Sequence, residues 1–172
     1  MKEIPLTQGK VALVDDADFE FLNQWKWYAM LNKRVWYAVR DVRTSDGSRR
    51  LEQMHQILIP SPQVDHRDHD GLNNQRANLR ACSVRQNGAN KRRWLSKTTS
   101  RFKGVFERKN RRTGEPNGQY RAQIRVDYKL HNLGTFGTEY EAAQVYDAAA
   151  KEHFGEFAHL NFPENSSCTL TG

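Results

Sequence analysis

A chain of 172 residues has room for one domain or two small ones, each with a limited core. It is polar, with 37% hydrophobic residues and a mean hydropathy of −0.88. Its net charge of +7 makes an anionic polymer the first partner to consider. Two distant cysteines, Cys82 and Cys168, argue against a disulfide framework or a structural zinc site. No apolar run approaches a membrane span and no signal-peptide core opens the chain, so the expectation is a soluble protein of a reducing cytoplasm with no membrane partner.

Residues 1–54 read as a small, aromatic-rich β-module. Lys10 to Val14 is a short strand, and Asp15-Asp16 can cap a helical turn carrying Phe19, Phe21, Leu22 and Trp25. Arg34 to Val42 alternates as a strand does, and Asp46-Gly47 signals a hairpin into Arg49 to Met54. Trp25, Trp27 and Trp36 can stack on bases or pack, and the scarcity of other large residues assigns them to the core. Met54 to Ile59 predicts a short helix stopped by Pro60-Ser61-Pro62. His55 within it reads as a buried or supporting imidazole.

The next stretch, Val64 to Asn87, is too polar to be built for a core. Gln63 to His66 predicts a strand, and Arg67 to Asn78 a loop whose Asp, Asn and Gly residues bond their own backbone. Leu79 to Cys82 returns as a second strand, and Ser83 caps a helix running to about Lys91, with Asn87 one turn in. His, Asp and Asn on short elements are what a metal-dependent phosphodiester hydrolase needs. A carboxylate and an amide oxygen suit a hard divalent ion, and an unligated imidazole can deprotonate water near neutral pH.

Asp65-His66, Leu72-Asn73-Asn74, Asn78-Leu79-Arg80 and Asn87, in that order, resemble the HNH endonucleases, in particular those of phage and mobile-intron homing enzymes. The match runs from about His55 to Arg93 and implies a strand-loop-strand-helix ββα-metal unit over residues 55–93. By this resemblance Asp65 and Asn87 hold the metal ion, His66 is the general base, and Asn78 braces the loop. Many relatives have His where Asn87 stands, and oxygen ligands shift the implied ion from zinc or nickel toward Mg2+ or Mn2+. A second departure is Asp68-His69-Asp70-Gly71, in which His69 reads as loop decoration.

Residues 94–101 belong to a basic, Ser/Thr-rich linker that begins at Lys91 and reads as a phosphate-contacting segment. After it, Phe102 to Arg108, Tyr120 to Val126 and Leu130 to Leu133 predict three strands. Thr138 to Glu141 is a capping box for a helix presenting Ala142, Val145, Tyr146, Ala149 and His153 and ending at Gly155. Lys103-Gly104-Val105, Tyr120 to Arg125, Leu133 to Phe136, Glu141-Ala142-Ala143, Tyr146-Asp147 and Leu160 to Pro163 are similar to the plant ethylene-response-factor (Apetala-two) DNA-binding domain. The resemblance covers residues 102–163. Arg121, Gln123 and Arg125 alternate on one face of the central strand, spaced to read bases in a major groove. The resemblance adds Lys103, Arg108 and Asn132 to the DNA face and Tyr146 as a phosphate contact. Plant members usually have Arg at the position of Phe106 and Trp at that of Asn132, so base preference does not transfer. Residues 164–172 read as a tail.

The fold expected is α+β: a β-rich N-terminal region, the ββα-metal unit, and a three-stranded antiparallel sheet packed on one helix. The function expected is a metal-dependent DNA endonuclease of homing or mobile-element type, bacterial or phage-encoded, acting on double-stranded DNA. One active site per chain implies a nicking monomer, or a weak dimer for double-strand breaks. A non-cleaving DNA-binding regulator is the alternative. RNA binding is weaker, since no aromatic pair marks a sheet.

Overall fold

In the computed structural model, residues 1–91 and 100–163 are described. The segment read as a basic linker falls mostly, and the tail wholly, outside them. The chain forms two units, Met1–Asn87 and Gly88–Gly172.

The first unit begins with a strand that sequence reasoning missed. β1 (Lys2–Pro5) pairs antiparallel with β2 (Val11–Val14), and Ile4, Ala12 and Val14 point inward. Four residues ending in Pro, with one core side chain, leave no period to detect. α1 (Asp16–Asn23) buries Leu22 and Asp18. A second sheet follows in the order β3 (Tyr28–Asn32), β4 (Val35–Arg43), β5 (Arg49–Gln53), all antiparallel. Gly47, in the left-handed region at φ 81°, makes the β4–β5 turn where the Asp-Gly pair places it.

α2 (Met54–Leu58) leads to the antiparallel pair β6 (Val64–His66) and β7 (Leu79–Ala81), and α3 (Val84–Asn90) closes the sequence of elements. Ser83 caps α3 reciprocally: its Oγ accepts from Gln86 N, and its own N–H donates to Gln86 Oε1. One core joins these pieces. Ile4, Leu22, Trp27, Met54, Val64 and Leu79 belong to a single buried cluster, so the β6–β7 pair packs on the N-terminal strands. Each such side chain contributes roughly 1.5–3 kcal/mol of burial.

The second unit is a sheet in the order β10-β9-β8, built from β8 (Val105–Lys109), β9 (Pro116–Val126) and β10 (Lys129–Phe136), with α4 (Glu139–Phe154) against it. Ala122, Ile124 and Val126 are buried toward α4, which answers with Ala142, Ala143, Tyr146 and Ala150. Alanines here let helix and sheet approach closely. Gly104 has φ +75°, and a Cβ there would run into the Tyr146 ring. The Thr138–Glu141 capping box forms as expected. From within α4, the Asp147 carboxylate accepts from the backbone N–H groups of Asn161 and Phe162 beyond the helix. The fold is α+β, with the C-terminal sheet-on-helix unit that the periodicity predicts.

Candidate active site and nucleic-acid face

The β6–β7 pair sorts its side chains onto two faces. Asp65 stands opposite Arg80, and His66 opposite Leu79. On the first face, Arg80 Nε and Nη2 both donate to Asp65 Oδ2, at 2.9 and 2.8 Å, and the pair is buried. Gln63, two residues before Asp65, lies on this face and accepts from Asn87 Nδ2 at 3.3 Å. The Cys82 thiol is pushed up by burial and by the Asp65 carboxylate, while the Asn87 N–H favours its thiolate. Asp65, Asn87, Gln63 and Cys82 thus converge.

His66, the last residue of β6, turns to the opposite face and is 6% exposed. His55 from α2 meets it edge to face with ring centroids 4.9 Å apart. The Tyr37 ring of β4 lies 5.6 Å from His55 and 6.0 Å from His66. Burial lowers the His55 imidazole to about 3, helped by the neighbouring His66. Burial also lowers His66, opposed by Asp68, the Asn74 side chain, Asp65 and Asp70. Both rings are therefore neutral near pH 7, the state in which imidazole accepts a proton. His55 Nδ1 is enclosed without a hydrogen-bond partner among the described residues.

The loop between the strands is held from two directions. Internally, Asn78 Nδ2 donates to Asp68 Oδ1 and to the Asn73 carbonyl, while Asn78 Oδ1 accepts from Asp68 N. Burial raises the Asp68 carboxyl, but bonds from Asp70 N, Asn73 and Asn78 outweigh it and the net shift is downward. Externally, Leu13 N donates to the Leu72 carbonyl and Asn74 N to the Leu13 carbonyl, in a parallel bridge to β2. Asp15 was expected to cap α1; its side chain makes no cap bond, and instead accepts from Arg76 N at 2.8 Å and Gln75 Nε2 at 3.2 Å. Arg76 also forms a two-pronged pair with Asp18. Sequence reasoning missed Asp15, Asp18 and Arg76 as loop supports; their spacing of about 60 residues leaves no local signal. Gly71 is required by close approach: a Cβ there would collide with the Trp36 carbonyl and the Tyr37 ring.

Of the residues assigned to cleavage, Asp65 and Asn87 share one face, while His66 occupies the other and Asn78 braces the loop between the strands. No group of three or more His, Cys, Asp or Glu side chains that could hold a metal occurs among the described residues. One carboxylate and one carboxamide on a common face still fit a magnesium-like ion, which keeps waters and takes substrate oxygens in place of further side chains. Arg80 shares the carboxylate such an ion would use. His69 has φ 66° and donates its N–H to the His66 carbonyl, so it forms a turn.

On the C-terminal sheet, Arg108, Arg121, Arg125 and Asn132 are exposed and Gln123 is half-buried. The register sets Phe106 and Thr135 beside Arg121, Asn132 beside Gln123, and Leu130 beside Arg125. The other two expected contacts are Tyr146 and Lys103. Tyr146 is 5% exposed, and its ring packs against β9. Lys103 is half-buried, and its Nζ donates to the Ala89 carbonyl at 2.6 Å. Burial lowers its amine to about 8, with Asp147 opposing.

A family model described as HNH endonuclease matches residues 58–89. A protein of Acanthamoeba polyphaga mimivirus described as an uncharacterized HNH endonuclease is 34% identical over 152 residues, covering 83% of this chain and 74% of the viral one. Plant proteins match in the C-terminal region. An AP2/ERF and B3 domain-containing transcription factor of Arabidopsis thaliana is 41% identical over 71 residues, 40% of this chain and 18% of its own. Dehydration-responsive element-binding protein 2A of the same plant is 43% identical over 56 residues, 31% of this chain and 17% of its own. The alignments thus span under a fifth of either plant protein. No solved structure matches the chain.

Proposed function

The chain belongs to the HNH endonuclease family, and we propose that it hydrolyses phosphodiester bonds of double-stranded DNA with the help of Mg2+ or Mn2+. The observation carrying this reading is the two-faced β6–β7 pair, with oxygen donors Asp65 and Asn87 on one side and a neutral, ring-packed His66 on the other. We read residues 55–93 as the cleaving unit and residues 102–163 as the DNA-reading unit, with a C-terminal likeness to plant transcription factors behind the second assignment.

In this mechanism Asp65 and Asn87 would hold the ion. When bound, a hard divalent cation neutralises phosphoryl oxygens and stabilises a leaving 3′-oxygen. His66, uncharged at neutral pH, takes the proton from the attacking water. Asn78 fixes the Asp68–Asn73 loop so that the end of β6 keeps its geometry, and the Tyr37 and His55 rings restrict the His66 imidazole. Arg121, Gln123 and Arg125 contact base edges, and Arg108 and Asn132 flank them. With one such site per chain, a monomer nicks, and a weak dimer is needed to break both strands.

A non-cleaving DNA-binding regulator has one observation in its favour: the Asp65 carboxylate is already paired with Arg80. Supercoiled plasmid separates the two readings. The nuclease converts it to the nicked form with Mg2+ or Mn2+ and not with EDTA. Salt-sensitive binding to a plasmid that stays supercoiled in both metals supports the regulator.

A further inference from the structure

We propose that the β4–β5 hairpin is a second phosphate-binding element, with Arg43 and Arg49 gripping the backbone of the duplex about six base pairs from the scissile bond. This rests on the nuclease reading above and adds to it a contact surface in the first unit.

The register sets Arg43 directly opposite Arg49. Like charges placed so repel and weaken a hairpin. The carboxylates of the hairpin are engaged elsewhere. Glu52 takes Arg40, and Arg50 as well. Asp46 accepts from the Thr44 hydroxyl and from Ser48 N in the turn. Asp41 lies close enough to Tyr28 to raise its phenol, after the larger effect of burial. Arg43 and Arg49 are both exposed, and no ion pair to either occurs among the described residues. A repelling pair left without a counter-charge fits a site that an anion completes.

Position identifies the anion. Tyr37, Val39, Asp41 and Arg43 alternate onto one face of β4, and the Tyr37 ring touches the His55–His66 pair. Six residues of strand span roughly 20 Å. That is about six steps of duplex at roughly 3.4 Å each. A duplex running along the hairpin axis with its scissile phosphate near His66 would pass Arg43 and Arg49 half a helical turn away, and this is the alignment the proposal takes. A free phosphate or short peptide would have no reason to bridge the two places.

The test uses the full chain and a duplex carrying a nick site mapped on plasmid. Affinity is measured against salt for the wild type, the Arg43→Gln/Arg49→Gln double variant, and Arg50→Gln, which removes one charge from the opposite face. The Arg43→Lys/Arg49→Lys variant keeps both charges and controls for the change of side chain. The arm requires the double variant to flatten the slope of log affinity against log salt by about 1.8 relative to wild type. Arg50→Gln and Arg43→Lys/Arg49→Lys keep the wild-type slope. Backbone protection about six base pairs from the nick should disappear in the double variant alone. An unchanged slope, or an equal loss in Arg50→Gln, overturns the arm while leaving the nuclease reading intact. A wild-type chain that neither binds nor nicks DNA removes the nuclease reading, and the arm with it.

Discussion

His55 and His66 meet edge to face, ring centroids 4.9 Å apart, in a buried pocket whose third wall is Tyr37. A second charged imidazole at that distance would repel the first, so the contact suits two neutral rings. It ties the protonation of the proposed base to the packing of the first unit.

Acid should therefore destabilise the first unit before its carboxylates titrate. In the unfolded chain both imidazoles bind protons below about pH 6.5. In the folded chain His55 does so only near 3, and His66 is also lowered. The unfolded state holds more protons in that window, so stability falls with falling pH by up to about 1.4 kcal/mol per unit per histidine. His55→Phe keeps the ring and removes one proton. Denaturant melts from pH 7 to 4 should show a shallower acid slope for this variant, and an unchanged slope would mean that His55 titrates normally.

The Asp65–Arg80 pair makes a second prediction. Arg80→Met leaves a buried carboxylate without its partner and should cost about 3–5 kcal/mol. Adding Asp65→Asn should recover much of that loss. Urea midpoints at constant slope measure both, and additive losses would show that the residues do not interact.

Loop support is tested at Asp15. Asp15→Ala removes the acceptor for Arg76 N and Gln75 Nε2. The stability cost should be about 1–3 kcal/mol. Amide exchange should rise at Gln75 to Asn78 while α1 keeps its protection, because Asp15 does not cap it. Faster exchange confined to α1 would contradict this arrangement.

On the second unit, Arg125→Ala should weaken binding to a preferred site by about 1–3 kcal/mol and relax preference at one base pair. An even loss across all sequences would make Arg125 a phosphate contact.

How much was legible in the sequence depended on how local the cause was. The alternation of Arg121, Gln123 and Arg125 with Ala122, Ile124 and Val126 is a two-residue period, and the structure keeps it with the apolar set buried. The Thr138–Glu141 cap and the Asp46-Gly47 turn are equally local. The burial of the Tyr146 ring was not legible because its neighbourhood is set by Gly104, some forty residues earlier, whose missing Cβ makes room for it. Asp15 misled for a similar reason: the residue before a helix reads as a cap, and only the fold brings Arg76 to it. The neutral state of His66 likewise comes from its burial, which no spacing in the Asp-His motif announces.

The most direct test of the account compares wild type with His66→Ala on one supercoiled plasmid in Mn2+, with DNA affinity measured on the same preparations. Nicking by the wild type, lost in the variant while affinity stays within a factor of about three (roughly 0.7 kcal/mol), is the predicted result. Nicking by the variant at the wild-type rate would contradict the role of His66 as base.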